Sequence, residues 1–374
     1  NSGSVFVQKS QLGGGSPIIR GFETNKVLLV VDGIRMNNAI YRGGHLQNVL
    51  TLDQANLDRV EVLFGPGSVI YGSDAIGGVM SFQTKKPQFS ATDELFVSGS
   101  AYLRGFSAGA GFAANAQVYV GSKRLASFTS ISHSQFGDLR QGKNRSEAIG
   151  NLGFRPWYVA QVNGQDSMMV NTDSSLQVGS GYTQYDVLQK LSFAQKQGVQ
   201  HHLNLQLSNS GNIDRYDRLT LMSGAKPKFA EWYYGPQFRL LAAYTLELTK
   251  ATSFYDNARF VFAYQRIEES RIDRRFQKVS RNHRIEQLDI YSLNADLMKK
   301  WGPHELRYGA EAYLNQVNST AFAEDLNTGA QTAIDTRYPD GGSSMQGAAL
   351  YASHTFEVSK KLIVNDGIRF SQVG

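Results

Sequence analysis

Apolar and polar residues alternate one by one along most of the chain beyond residue 93. In the segments 202–208, 237–248, 259–265 and 291–297, every second side chain is apolar, and most of the side chains between them are polar or small. Successive side chains of a β-strand point to opposite faces of a sheet. A period of two therefore predicts strands with one apolar face and one polar face.

The connections between these predicted strands alternate in length. Short joints lie near residues 121–122, 197–198, 250–251, 302–303 and 359–360, and long polar connections lie near 137–181, 214–231, 271–284 and 323–345. Short turns at one end and long loops at the other are typical of a bacterial outer-membrane β-barrel. Strands of a soluble β-sandwich usually have ~5–6 residues, whereas the segment 304–322 is far longer. We therefore predict an all-β membrane barrel, with roughly eleven strands in this chain.

The first 88 residues have a different pattern, rich in glycine and without long periodicity. Short strands are predicted at residues 27–31, 58–63 and 77–82, and one or two helical turns within 46–57. Pro87 follows two lysines and indicates a linker, because proline cannot continue a strand ladder. We predict a compact α+β domain over residues 1–88 and the barrel over residues 89–374.

The composition narrows the classes of function. The 374 residues are 41% hydrophobic and 19% charged, with a mean hydropathy of -0.33. No apolar run approaches the ~20 residues of a transmembrane helix, but a barrel strand needs only ~10 residues with alternate ones apolar. The net charge of +6 is spread without a tight basic stripe, which argues against a nucleic-acid partner. The absence of cysteine removes disulfides and thiolate chemistry.

Six short motifs follow one another between residues 16 and 82. They are Ile19-Arg20-Gly21, Val31-Asp32-Gly33, Arg59-Val60-Glu61-Val62, Gly65-Pro66-x-Ser68, Tyr71-Gly72 and Gly77-Gly78-Val79. In this order they resemble the plug domain of a TonB-dependent outer-membrane receptor. The resemblance implies a barrel of the ~22-stranded type, about half of it in this chain, with the plug inside its lumen. It also implies a bacterial outer-membrane location and uptake driven by the TonB complex of the inner membrane.

A narrower resemblance concerns the haem and haemoglobin receptors of this family. It rests on Asp32-Gly33-Ile34-Arg35 and on the run Tyr41-Arg42-Gly43-Gly44-His45-Leu46-Gln47-Asn48. The resemblance implies that His45, at the plug apex, is an axial ligand of haem iron, with Tyr41, Arg42 and Gln47 beside it. A neutral imidazole and a phenolate both bind haem iron. Haem would be the transported ligand, and the alternative for His45 is an exposed loop histidine without a special role.

Charged residues of the plug are expected to face the barrel wall. The resemblance places Arg20, Arg59 and Glu61 between plug and barrel, where partial desolvation would strengthen their hydrogen-bonded ion pairs. The alternative is ordinary surface pairing, which contributes ~0–1 kcal/mol per pair. In the predicted strand 305–316, Glu311 lies on the polar face, so we expect it to be their partner on the barrel.

No arrangement typical of an enzyme stands out in the sequence. Gly65-Pro66-Gly67-Ser68 lacks the lysine that a phosphate-binding loop requires. We expect a haem transporter that forms part of a longer polypeptide, with haem or a haemoprotein, lipid or lipopolysaccharide, and a surface lipoprotein as further partners. The alternatives are a receptor for a siderophore, cobalamin or another small nutrient, a non-transporting outer-membrane adhesion or assembly protein, and a soluble β-rich enzyme.

Overall fold

The computed structural model of the protein is built almost wholly from β-strands. It describes residues 3, 5–9, 12–23, 26–36, 39–40, 48–64, 68–142, 144, 148, 150, 153–195 and 198–374. A small mixed sheet comes first, and a large antiparallel sheet follows it. In the described part of the chain, no helix has the length and the apolar character needed to cross a membrane.

The N-terminal part up to Thr84 is called the plug below. Its elements are β1 (Val5–Gln8), β2 (Ser16–Ile19), β3 (Val27–Val31), β4 (Ile34–Arg35), β5 (Leu57–Leu63), α1 (Ser68–Tyr71) and β6 (Gly78–Thr84). The main sheet has the order β4-β3-β6-β5, in which only β3 and β6 are parallel. Every residue of β3 is buried, as expected for a strand covered on both faces. Two 3-10 turns, Asn48–Thr51 and Gln54–Asn56, lie where helical turns are predicted.

A two-residue turn joins β3 to β4. Asp32 and Gly33 have φ angles of 50° and 84°, which is the left-handed conformation that a type I′ hairpin requires at both central positions. Glycine adopts this conformation without a steric penalty, and aspartate adopts it more readily than most residues. The Asp-Gly sequence therefore holds the carboxylate of Asp32 in a defined place at the end of β3.

Beyond Thr84, eleven long strands form one continuous antiparallel path. The elements are β7 (Phe96–Phe106), β8 (Gly111–Gly121), β9 (Leu125–Phe136), β10 (Leu139–Arg140), β11 (Trp157–Val162), β12 (Gln165–Val170), β13 (Leu176–Gln177), β14 (Tyr182–Gln195), β15 (Val199–Ser210), β16 (Ile213–Asp214), α2 (Tyr216–Leu219), β17 (Met222–Ser223), β18 (Lys226–Pro227), β19 (Phe229–Tyr234), β20 (Phe238–Leu248), β21 (Asn257–Arg275), β22 (Ser280–Trp301), β23 (His304–Asp325), β24 (Gln331–Ala333), β25 (Ser343–Ser359) and β26 (Leu362–Val373). The path is β7-β8-β9-β14-β15-β20-β21-β22-β23-β25-β26. The predicted domain boundary after residue 88 falls between β6 and β7 and stays a prediction.

Two belts of aromatic rings lie on the outer face of the large sheet. Near the long connections, the ring of Tyr185 stacks on His133, and near the short turns the ring of Phe193 stacks on His201. Tyr185 and Phe193 both lie on β14. Their separation corresponds to ~26 Å along the strand, or about 20 Å of height at a strand tilt of ~40°. This spacing is close to the ~25 Å apolar band of outer-membrane barrels.

The plug packs on the inner wall of the large sheet. Leu29 and Val31 of β3 belong to one buried apolar cluster with Leu241 and Ala243 of β20 and with neighbours on β21. Strict alternation predicts polar residues at these inward positions of β20. They are apolar because the plug covers them, so the polar pattern of the inner wall is interrupted where the plug packs against it.

Candidate functional site

The carboxylate of Asp32 is shared between the plug and two strands of the wall. Within the plug, its Oδ1 atom accepts the Thr84 backbone N–H at 2.8 Å and its Oδ2 atom accepts Thr84 Oγ1 at 2.7 Å. From the wall, Asn204 Nδ2 and Gln206 Nε2 donate to Oδ2 at 2.9 and 3.2 Å. The Lys190 ammonium lies 3.0 Å from the same oxygen. One side chain of the plug is therefore fastened to β14 and β15.

Both partners of the ion pair between Asp32 and Lys190 are buried. Burial alone would raise the pKa of the Asp32 carboxyl, but the Lys190 ammonium and the hydrogen bonds from Thr84 outweigh burial and hold the pKa below its usual value. The side chains of Asp32 and Lys190 are only 12% and 9% exposed. Removal of either charge would therefore leave the other one unpaired in the interior, which costs ~3–5 kcal/mol.

Arg259 of β21 closes the other side of the same turn. Its Nη2 atom donates a hydrogen bond to the backbone oxygen of Asp32 at 2.9 Å. The guanidinium lies so close to Gly33 that a Cβ atom at this position would come within 2.6 Å of Nη1. Glycine is therefore required here both by its positive φ and by the approach of the barrel side chain.

A second charged anchor joins the end of β4 to β23 and β26. Arg35 Nε lies 2.6 Å from Glu311 Oε1, and Arg369 Nη2 lies 3.1 Å from Glu311 Oε2. Arg369 also donates to the backbone oxygen of Ile70 in the plug at 2.7 Å, and Arg35 donates to the backbone oxygen of Tyr71. The Glu311 side chain is 5% exposed. It is thus a buried carboxylate bridged by one arginine of the plug and one of the wall.

A third group of contacts consists of hydrogen bonds that neutral side chains of the wall donate to the turns around residue 53. Gln117 of β8 donates to the backbone oxygen of Ala55 at 2.8 Å, and Gln184 of β14 donates to that of Leu50 at 3.0 Å. The Asp53 carboxylate caps the second turn by accepting the Ala55 N–H at 2.9 Å, and it also accepts a hydrogen bond from the Ser132 hydroxyl. These contacts fasten a different part of the plug to a different part of the wall.

The charged residues of the plug motifs lie elsewhere. Arg59 Nε lies 2.6 Å from Glu61 Oε1, and both side chains are about half exposed. This hydrogen bond raises the pKa of Arg59. Arg20 lies with its guanidinium carbon 4.6 Å from the centre of the Phe64 ring. The expectation that one of these three residues pairs with Glu311 is wrong within the described part of the chain, because the plug cation beside Glu311 is Arg35. Contacts of Arg20, Arg59 and Glu61 with other parts of the barrel stay a prediction.

The predicted ligand residues Tyr41, Arg42, His45 and Gln47 lie outside the described residues. The chain just before them is fixed: Ile40 is fully buried in an apolar cluster with wall residues of β21, β22 and β23. From the long connection after β23, the Tyr338 hydroxyl donates to the backbone oxygen of Ala39 at 3.1 Å, and the neighbouring Arg337 pairs with the buried Glu286 at 3.3 Å. An extracellular connection thus reaches into the lumen and contacts the plug at the entry to its apex.

Sequence reasoning did not single out Lys190, Arg35 or Arg369. A lysine on the polar face of a barrel strand looks like any solvated charge, and only the contact with Asp32 distinguishes it. In the described ranges, no group of three or more His, Cys, Asp or Glu side chains is placed to hold a metal ion. The described site is therefore a set of polar anchors between plug and wall.

Comparison with known proteins gives the N-terminal part a family. Residues 1–79 match the family model described as TonB-dependent Receptor Plug Domain. The Vitamin B12 transporter BtuB of Vibrio vulnificus (strain CMCP6) is 43% identical over 88 residues, which are 22% of this chain and 14% of that protein. The Hemin receptor of Yersinia enterocolitica is 30% identical over 169 residues, which are 43% of this chain and 23% of that protein.

Solved structures share the fold along the whole chain. The Copper transporter OprC matches with a TM-score of 0.75 at 12% identity, over 99% of this chain and 50% of that one. The ferric citrate transporter FecA in its unliganded form matches with a TM-score of 0.66 at 16% identity, over 99% of this chain and 52% of that one. At such identities the likeness concerns the fold alone. The chain spans about half the length of these structures and less than that of the curated relatives.

The plug, the barrel wall and the comparisons together define the class of protein. The chain has the plug and the barrel wall of a TonB-dependent outer-membrane receptor, and it is an outer-membrane protein of Gram-negative bacteria. The predicted fold, a membrane β-barrel with an α+β plug inside its lumen, is thereby confirmed. The family is one of transporters and receptors rather than enzymes.

Proposed function

We propose that this protein is a receptor that takes up haem across the outer membrane, with the TonB complex of the inner membrane supplying the energy. One observation carries the choice of haem. The similarity to the Hemin receptor of Yersinia enterocolitica extends over 169 residues, which is longer than the plug and must therefore include barrel sequence. The similarity to the vitamin B12 transporter covers 22% of this chain, a share that the plug alone can supply.

The contacts between plug and wall support a transport role. Apart from the apolar clusters around Leu29 and Ile40, they are ion pairs and neutral hydrogen bonds, and water in the lumen can replace the neutral ones. A typical neutral hydrogen bond contributes a net ~0.5–1.5 kcal/mol, so a modest pulling force can exchange such contacts one after another. The plug can thus shift against the wall while its own buried sheet stays folded.

The ligand site in this proposal lies at the plug apex. His45 would ligate the haem iron, with Tyr41, Arg42 and Gln47 beside it, and glycines 43 and 44 would let the backbone approach a flat macrocycle closely. The described residues on the near side, Ala39 and Ile40, are held by the wall and by Tyr338. Haem bound at the apex would therefore be close to a contact that joins an extracellular connection to the plug.

A haem titration of the full-length protein, followed by visible absorption, tests this proposal. We expect one haem per protein and a Soret band that changes in His45→Ala. His201→Ala is the matched control, because His201 stacks on Phe193 on the outer face of the wall. A spectrum that is unchanged in His45→Ala would remove His45 as the iron ligand, and the absence of haem binding would overturn haem as the cargo.

A second candidate cargo is cobalamin. It is favoured by the higher identity, 43%, to the vitamin B12 transporter. Identification of the compound that copurifies with the full-length receptor, and uptake measurements with haem and cobalamin in turn, distinguish the two. A surface lipoprotein, lipopolysaccharide and a haemoprotein donor stay predictions, and a receptor that supports no uptake would favour the non-transporting alternative.

A further inference from the structure

Two histidines and an aspartate form a hydrogen-bonded chain on the outer wall, apart from the plug and its ligand site. His304 Nδ1 lies 3.0 Å from His354 Nε2, and His354 Nδ1 lies 3.1 Å from Asp366 Oδ1. His304 also stacks between the rings of Trp301 and Phe356, with centroid distances of 5.6 and 4.5 Å. Neither the plug anchors nor the proposed haem site uses this cluster.

The register places the cluster where the apolar wall ends on the periplasmic side. Across β23, β25 and β26, Leu306, His354 and Asp366 are directly paired. The short turn after β25 lies a few residues away, whereas the next outward positions in the other direction are apolar. The cluster therefore lies at the level of the lipid head groups of the periplasmic leaflet, next to aromatic rings that are typical of this level.

The hydrogen bonds determine which polar atoms remain available. An ionised aspartate only accepts hydrogen bonds, so His354 Nδ1 donates to Asp366. A neutral His354 then accepts at Nε2, and His304 Nδ1 is the donor. Within the described part of the chain this leaves His304 Nε2 and the second oxygen of Asp366 unused. Both of these atoms accept hydrogen bonds, and Asp366, whose side chain is 66% exposed, carries a negative charge, so together they can bind a cation that donates hydrogen bonds.

An apolar concavity lies on the wall above this cluster. It has a volume of about 820 Å³, and alanines of β22, β23 and β25 form its floor between larger side chains; its lining includes Ala295, Ala310, Ala312, Ala348, Leu350 and Phe370. Ala352, which is paired with Tyr308, lies between the concavity and His354. Small side chains therefore continue from the polar cluster into the apolar groove.

The length of this path matches one leaflet of a bilayer. From Leu306, level with His354, to Ala312 the path extends ~20 Å along β23 at ~3.3 Å per residue. A strand tilt of ~40° converts this distance into a depth of about 15 Å. That depth is slightly more than half of the ~25 Å apolar band of outer-membrane barrels.

We propose that the outer wall binds one zwitterionic phospholipid of the periplasmic leaflet, of the phosphatidylethanolamine type. Its ammonium group donates hydrogen bonds to Asp366 and to His304 Nε2, and one acyl chain lies in the alanine-floored groove. A head group with an ammonium fits because the cluster offers two acceptors within one hydrogen-bonded chain, one of them negatively charged. The site does not depend on the identity of the transported cargo.

Native mass spectrometry of the full-length receptor with added phosphatidylethanolamine tests the proposal. We expect one lipid to be retained, and retention to fall about tenfold in His354→Leu and in Asp366→Asn, as for the loss of one charge-assisted hydrogen bond. His201→Leu is the matched control, because His201 belongs to the same aromatic belt but contacts Phe193 and Tyr244 instead of a carboxylate. Equal retention by all of these variants would overturn the proposal, since it would indicate unspecific lipid.

Two further measurements separate the head group from the acyl chain. Phosphatidylglycerol, which lacks the ammonium group, is expected to be retained less than phosphatidylethanolamine; equal retention would contradict the role of Asp366. Ala310→Leu fills the groove without touching the polar cluster and is expected to lower retention of both lipids. Unchanged retention in this variant would contradict the placement of the acyl chain.

Discussion

The plug is fastened to the wall in two different ways. At the β3–β4 hairpin, Asp32 and Arg35 form buried ion pairs with Lys190 and Glu311. Around residue 53, the wall donates mainly neutral hydrogen bonds to backbone oxygens of the plug. Water can replace a neutral hydrogen bond at little net cost, but it cannot easily solvate a charge left alone in the interior. The charged anchors should therefore keep the plug attached to the wall until the two charges of a pair separate completely. The neutral hydrogen bonds, in contrast, can be replaced one by one by hydrogen bonds to water.

The largest effect is expected from Asp32→Asn. The substitution keeps the shape of the side chain but leaves Lys190 buried without a counter-charge, which should weaken plug retention by ~3–5 kcal/mol. Denaturant-dependent release of the plug in the full-length protein measures this loss. The control is Lys190→Met in the Asp32→Asn background, which should recover part of the stability because neither charge of the pair then remains. If the loss of plug retention in the double variant equalled the sum of the losses in the two single variants, the pairing would be contradicted.

Glu311→Gln should have a smaller effect. Arg35 is 19% exposed and keeps its contact with Asp74, so we expect a loss of about 2–3 kcal/mol in the same measurement. Glu305→Gln is a matched control on the same strand, because Glu305 pairs at 2.7 Å with Arg307, whose side chain is 60% exposed. An equal loss in both variants would argue against a special role of Glu311.

Acid should weaken the charged anchor at Asp32. In the folded protein its pKa lies below the ordinary value of 3.8. Its stabilising contribution is therefore fully present above that unfolded value and is lost as the pH falls through the lower folded pKa. Plug release measured as a function of pH should show this component in the natural protein and lack it in Asp32→Asn. The same acid-dependent loss in both proteins would assign it to another carboxylate.

The smallest effect is expected at the neutral anchors. Gln117→Met removes one hydrogen bond to the Ala55 carbonyl and should weaken plug retention by about 1 kcal/mol. The dependence of plug release on pH below 4 should stay the same as in the natural protein, because Asp32 is unchanged. The denaturant measurement used for Asp32→Asn applies here. A loss as large as that of Glu311→Gln would remove the difference between the two kinds of anchor.

The β-structure could be predicted from the sequence, because alternation is a local property of each strand. The pairing of plug and wall could not, because it joins residues far apart in the chain. The polar face of its strand was enough to select Glu311, yet nothing in the sequence pairs it with Arg35, which lies in a two-residue strand of the plug. Leu241 and Ala243 interrupt the expected alternation, and only the covering plug explains them. The apex residues around His45 rest on resemblance alone.

The two charged anchors lie three residues apart in one short hairpin. Asp32 is held by β14 and β15, and Arg35 by β23, four strands further round from β15 and therefore ~20 Å away along the wall. A pulling force applied to the hairpin therefore acts on both attachments at the same time and does not break them one after the other. When the plug is extracted mechanically, this turn should accordingly give a single rupture event, and the rupture force should reflect the combined strength of the two ion-pair attachments.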